Sequence, residues 1–440
     1  MSNETLPTRF VIIQVMFLRI LRGLELSLIL FVLALVLGYG APSGADEVEK
    51  IRAYTRQIEF NYLTWTGNAV LLKLRSASVG APHAFDHATQ KHIVREYTQL
   101  TQQIFEKEYE LEKIYADAAI SDKDLASAPL RGELAKMYAR QAELSPLAEA
   151  IVQGQVSEIL AEAGLAAAGQ PLPAVAYHVT PLPKALVVSP RNRIEQTASI
   201  SVETELTIDE MAALETSVDS GLNVSSLVVN IGGVGVYPTM VMRSSDLNWV
   251  LNTVAHEWAH NYLTLRPLGM RYGKTPELRT MNETTASIVG NEIGALAMGR
   301  FYPELVTSRP ASTLGTVSAP LGHPEPGDFL RPPFDYRAEM HETRITTDTL
   351  LAEGKIEEAE AYMESRRLVF LQNGYLIRKL NQAFFAFHGA YADSPGGAAG
   401  EDPVGPAVRA LRAQSESLAD FVNTISRMKN FEQLKAAISP

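Results

Sequence analysis

Cysteine is missing from all 440 residues. That excludes disulfides, a thiolate nucleophile and any cysteine-built zinc knuckle. Excess positive charge is missing as well. The net charge is −11, and without a basic patch nucleic acid is not an expected partner. Tandem repeats are not evident. Histidine is scarce, with nine in the chain, so a histidine pair at metal-ligand spacing is informative. An uninterrupted apolar run long enough to span a bilayer, ~20 residues, is also lacking.

The nearest to such a run lies in Phe10–Tyr39, where Leu24–Leu37 is almost continuously apolar apart from Glu25 and Ser27. Arg9, Arg19 and Arg22 precede it, a charge bias that leaves the N-terminus cytoplasmic and sends the downstream chain across the membrane. Extending the helix back through Ile20 and Leu21 gives enough length for an anchor. The expectation is a single uncleaved span in residues 1–42, with the rest of the chain extracytoplasmic. The alternative is a signal peptide cut near Gly40 or Ala45, and secretion.

The stretch on which the chemistry turns is His256-Glu257-Trp258-Ala259-His260, set within Leu247–Leu263. Leu247, Leu251, Val254 and Trp258 form an apolar stripe at helical spacing, with the two histidines roughly opposite. Ser244-Ser245-Asp246 offers N-caps, and Pro267 and Gly269 end the helix. Histidines four apart share one helix face and can grip a single metal ion. Glu257 stands about 100° round the helix from His256, placed to act on a metal-bound water without ligating the metal. This H-E-x-x-H arrangement reads as zinc chemistry. The bland alternative is a pair of hydrogen-bonded histidines in a helical protein.

Downstream runs Met281-Asn282-Glu283-Thr284-Thr285-Ala286-Ser287-Ile288-Val289-Gly290. With H-E-x-x-H on one helix and Asn-Glu on a second, the chain resembles the gluzincin zinc peptidases, the group containing thermolysin and the aminopeptidase N family. The resemblance covers about fifty residues, Leu247 to Leu296. It implies Zn2+ held by His256, His260 and Glu283, with Glu257 as general base. Asn282-Glu283 through Gly290 is similar to the thermolysin pattern N-E-x-x-S-D-x-x-G but departs from it at Ser287, where the family has an Asp that orients a ligand histidine. That support has to come from another residue. The spacing from His260 to Glu283 is a few residues longer than in the family. Glu292 is the rival ligand. It lies nine residues beyond Glu283, about half a helical turn out of phase, so both cannot face one metal, and its other reading is an ion pair.

The rest of the chain sorts into helical and β-type stretches. Asp46–Ser76, His87–Ala119 and Leu130–Gly164 read as helices, with a break expected at Pro146. His83, His87 and His92 read as surface histidines. Ala163–Pro173 reads as a linker. Val175–Val179, Ala185–Ser189, Ile194–Val202 and Leu227–Val229 read as short strands, and Thr207–Ser220 as a short helix. Ile231–Val241 is glycine-rich without the spacing of a phosphate loop. Placed just before the His helix, it is either a β-bulge or turn, or, by the resemblance, an edge strand that binds substrate backbone beside the metal. Tyr302–Pro333 and Ser394–Pro406 read as loops. Asp335–Ala352, Ile356–Gly389 and Ala407–Ile438 read as helical.

The expected fold is α+β and mostly helical. A gluzincin-like core, a small β-sheet followed by the H-E-x-x-H helix and the Glu-ligand helix, occupies residues 171–300 between helical regions 43–170 and 301–440, behind the N-terminal membrane helix. The expected function is zinc-dependent peptide-bond hydrolysis of a peptide or protein substrate. Zinc lowers the pKa of its water, and Glu257 takes the proton and returns it to the leaving amine. A further donor is needed for the tetrahedral oxyanion. The resemblance implies a Tyr or His from a C-terminal helix, with Tyr336, His341, Tyr375, His388 and Tyr391 as candidates. No aminopeptidase-type motif precedes the His helix, since Glu203 and Glu205 lack that context. Two other functions fit the sequence: a non-catalytic membrane-anchored scaffold with a vestigial zinc site, and a zinc hydrolase of a non-peptide amide or ester.

Overall fold

The computed structural model describes residues 45–77, 85–116, 120–306, 334–391, 400 and 402–438. The chain divides between Ala53 and Tyr54. The expected membrane segment, His83, the Tyr302–Pro333 loop beyond Val306 and most of the Ser394–Pro406 loop lie outside the described residues. Among the described residues no helix is long and apolar enough to cross a membrane.

The protein is mostly helical with small sheets. Helix α1 (Ala45–Thr55) straddles the division, and α2 (Tyr62–Ala77) comes after it. The sequence reads as one continuous helix here, but Arg56–Asn61 leaves it to join the sheet. Glu59 bridges to Val202, and the Phe60 amide donates to the Ser201 carbonyl at 3.0 Å. Pairing at a sheet edge has outweighed local helical periodicity.

Two long helices are next, α3 (His87–Ala116) and α4 (Lys123–Glu162). Pro146 lies inside α4 and does not end it. Leu144, Ala148, Ile151 and Val152 around it are buried. Several apolar side chains at about 1.5–3 kcal/mol each exceed the roughly 3 kcal/mol that an internal proline costs. A short hairpin, β1 (Ala166–Ala167) with β2 (Gln170–Pro171), occupies the expected linker.

Two three-stranded sheets come after the hairpin. β4 (Lys184–Pro190) is central in one, antiparallel to both β5 (Ala198–Val202) and β6 (Val224–Asn230). Helix α5 (Ile208–Leu222) connects β5 to β6. Its start is fixed by a capping box in which Thr207 accepts from the Glu210 amide and Glu210 accepts from the Thr207 amide. In the other sheet β3 (Tyr177–Val179) runs parallel to β8 (Thr239–Val241), and β7 (Gly233–Val234) pairs antiparallel with β8 at the edge.

Helices α6 (Leu247–Thr264) and α7 (Pro276–Phe301) make the most extensive helix–helix contact described. Beyond them lie α8 (Pro303–Val306), α9 (Tyr336–Ala352), α10 (Ile356–Gln372), α11 (Gln382–His388), α12 (Val404–Gln414), α13 (Leu418–Ile425) and α14 (Phe431–Ile438). The helix expected over Ile356–Gly389 is therefore interrupted. Gly374 takes a left-handed φ of 86°, and the segment after it docks on the sheet side. Arg378 pairs with buried Glu215 at 2.6 Å, and Lys379 with Asp219 at 2.7 Å. One apolar core gathers α4, α6, α7, α12 and α13. A second lies between β4, β6 and helices α9 to α11.

Candidate metal centre

Helix α6 forms where its stripe requires. Leu247, Leu251, Val254 and Trp258 are all buried, and the Asp246 carboxylate accepts from the Trp249 amide as N-cap. The Trp258 indole donates to the Pro173 carbonyl at 2.7 Å, which fixes the helix roll. His256 and His260 then face α7 with 17% and 18% of their side chains exposed. Helix α7 starts at the Thr275 N-cap with Pro276 in its first turn. Leu278–Gly290 is buried throughout, so this half of the helix is surrounded on every side.

The two helices can come close because α7 carries glycines at the crossing. A Cβ on Gly290 would lie 2.7 Å from the Asn252 carbonyl oxygen and 3.0 Å from His256 Cβ. One on Gly294 would lie 2.7 Å from Asn252 Cγ. The approach brings Glu283 to the histidines.

His256 Nε2 and His260 Nε2 are 3.1 Å apart, and Glu283 Oε2 lies 3.7 and 3.4 Å from them. A triangle of those sides has its equidistant point about 2.0 Å from every corner, the ligand distance of Zn2+ to nitrogen and oxygen. Glu283 Oε2 is buried and accepts no hydrogen bond, a costly state unless something else meets it. His256, His260 and Glu283 can hold a metal ion. Its ligand set, two imidazoles and one carboxylate, leaves room for a fourth position.

The surroundings orient these ligands. Asn282 Oδ1 lies 2.8 Å from His260 Nδ1, which presents Nε2 to the centre. The Tyr272 hydroxyl donates to Glu283 Oε1, so Oε2 is the oxygen left for the metal. Tyr272 comes directly after the 3-10 turn Gly269–Arg271, in the stretch that lengthens the His260–Glu283 spacing. Burial alone would raise the Glu283 carboxyl, but the His260 and His256 rings outweigh it and hold it well below its ordinary value. Burial pushes the Tyr272 hydroxyl far up, as does the Glu283 charge, so it stays a proton donor. Ser287 makes no bond to either histidine, and the orienting role falls to Asn282 on the same helix.

Glu257 is buried beside this cluster. Burial, the leading cause, raises its carboxyl above the ordinary value; the histidines oppose that and Glu283 adds to it. Edge strand β7 lies directly on it. A Cβ at Gly233 would come within 2.8 Å of Glu257 Cγ and Cδ, and one at Gly235 within 3.0 Å of His260 Cβ. The glycine-rich stretch therefore lies at a sheet edge beside the metal ligands.

Comparison of the chain with protein-family models, curated proteins and solved structures returns no match.

Glu292 points elsewhere and forms a two-oxygen ion pair with Arg412 at 2.8 Å. His92 is largely exposed, 3.9 Å from Glu96. Of the five candidate donors, Tyr391 reaches the centre. Its ring stacks on His256 at 6.4 Å with 27° between planes. Burial pushes its hydroxyl well up, with further push from Glu283, so it keeps its proton. His388, at the end of α11, is open to solvent on one side and packs against Phe384 at 4.3 Å. Desolvation and the Arg279 charge push it down, leaving it neutral near pH 7. Tyr336 and Tyr375 stack on each other at 4.7 Å in the second core, and His341 belongs to α9. Tyr272 and Arg279 escape sequence reading because no motif marks them.

Proposed function

We propose that this chain is a zinc-dependent metallopeptidase of gluzincin type, tethered to or exported across a membrane through its apolar N-terminal run. The observation that carries the reading is the unpartnered Glu283 Oε2 aimed between the His256 and His260 nitrogens, with a second buried carboxylate, Glu257, alongside. Zinc bound to the three ligands supplies Lewis acidity, which lowers the pKa of a water and polarises a carbonyl.

The chain's own residues do the rest. Glu257 is the general base. It takes the proton from the attacking water and delivers it to the leaving amine. Backbone groups of the Gly233–Gly235 edge pair with an extended substrate, and the missing side chains let it lie against the centre. Tyr391, protonated over His256, donates to the oxyanion.

The test is peptide hydrolysis by full-length zinc-loaded protein on a broad peptide library. Cleavage that stops on chelation and returns with zinc is the expected result. Bound zinc without cleavage of any peptide would favour the vestigial-site scaffold, and turnover of amide or ester substrates alone would favour the non-peptide hydrolase.

A further inference from the structure

Arg279 lies one helical turn before Glu283 and is 8% exposed. Its Nη1 donates to the Ala386 carbonyl at 2.7 Å, and its Nε has no hydrogen-bond partner. A buried guanidinium with a donor left unpaired is destabilising on its own account, so its place needs a reason. Ala386 is in the last turn of α11, where helix carbonyls lack intrahelical partners and the helix end carries negative charge. The cation of Arg279 caps that end. Immediately after the cap the chain carries His388 and then Tyr391, whose ring lies over His256. The charge of Arg279 also acts on Tyr272, Glu283 and Tyr391. A closed path thus runs from the Glu283 helix, through Arg279, to the end of α11, to Tyr391 and back to the metal-ligating pair.

We propose that Arg279 is a positioning residue, which clamps the C-terminal end of α11 to the Glu-ligand helix and thereby holds Tyr391 over the metal centre. The proposal rests on the metallopeptidase reading for its kinetic consequence and on the structure alone for its mechanical one. A donor carried three residues beyond the end of an untied α11 would let its hydroxyl drift, and small misplacements cost rate more than binding. The clamp therefore acts on kcat through Tyr391.

The experiment uses full-length, zinc-loaded protein and the variants Arg279→Met, Arg279→Lys, Tyr391→Phe and Arg279→Met with Tyr391→Phe. Arg279→Met is expected to lower kcat about 10–100-fold, part of what a lost oxyanion donor costs, with KM changed less than about threefold. Arg279→Lys is expected to recover part of the rate. The double variant is expected to be no slower than Tyr391→Phe alone, because the two residues act as one unit. Amide exchange over residues 382–391 is expected to speed up in Arg279→Met while that of α10 stays as in the wild type. Additive losses, unchanged exchange over 382–391, or loss of zinc from Arg279→Met would overturn the proposal; zinc loss would mean that Arg279 acts through Glu283. If wild type cleaves nothing, the metallopeptidase reading falls, and the exchange measurement still decides the clamp.

Discussion

Gly290 lies against His256, so close that a methyl group on it would stand 3.0 Å from the histidine Cβ and 2.7 Å from the Asn252 carbonyl oxygen. The geometry of the His256–His260–Glu283 cluster is thus set by the separation of two helix backbones. Gly290→Ala is expected to push α6 and α7 apart, cost about 1–3 kcal/mol by overpacking, and weaken zinc binding at least about tenfold. Thermal unfolding with competitive zinc titration checks both. Unchanged zinc affinity in a destabilised variant would detach the helix spacing from the site.

Glu257 is not one of the three residues that can hold a metal ion, but it is buried beside them. Glu257→Gln is expected to retain one zinc per chain while hydrolysis falls by about 10²–10⁴-fold, the span of general acid–base catalysis. Metal analysis beside a turnover assay separates the two. A variant with full activity would remove Glu257 from the mechanism.

Asn282 and Tyr272 hold His260 and Glu283 from behind. Asn282→Ala and Tyr272→Phe are each expected to weaken zinc binding about 10–100-fold, the usual effect of losing an outer partner. Ser287→Ala is expected to leave affinity within about twofold, since Ser287 bonds neither histidine. Equilibrium dialysis against a zinc buffer measures all three, and a large loss with Ser287→Ala would reverse the assignment.

Much of the site is legible in the sequence because it depends on short-range pattern. The stripe Leu247, Leu251, Val254, Trp258 with the Asp246 cap defines α6 within one residue. Glu283, the acid of the Asn-Glu pair, stands at the two histidines, while Glu292 half a turn away pairs with Arg412. The features that escape depend on distant partners. Tyr272 and Arg279 gain meaning from Glu283 and from Ala386, which lies 107 residues away from Arg279. The helix break after α10 comes from ion pairs of Arg378 and Lys379 with Glu215 and Asp219, which helical periodicity cannot register. For the glycine-rich stretch, sequence leaves an edge strand and a bulge equally open, and pairing with β8 makes Gly233–Val234 a strand.

Acid sensitivity of the metal-free protein should come from Glu149, far from the His256–His260–Glu283 cluster in sequence, together with Glu283. The fully buried Glu149 carboxylate meets His178 Nδ1 at 3.0 Å and Lys73 Nζ at 2.5 Å. Burial alone would raise it, but its bond to His178 and the Lys73 charge outweigh that and hold it below its ordinary value of 4.5. A depressed folded value means stability that is fully present above the unfolded value and lost as pH falls through the folded one. In metal-free protein the unfolding temperature is expected to fall from about pH 4.5 downward, and Glu149→Gln is expected to flatten that limb while lowering stability at pH 7. An acid limb unchanged in Glu149→Gln would assign it to other carboxylates.

Zinc-edge X-ray absorption on the full-length protein, with metal analysis of the same sample, tests the ligand assignment most directly. One zinc per chain is expected, with a shell of two imidazole nitrogens and carboxylate oxygen at about 2.0–2.2 Å, and a lost oxygen contribution with sharply weakened binding in Glu283→Ala. A protein that retains no zinc, or a zinc shell without imidazole that is the same in Glu283→Ala, would contradict the assignment.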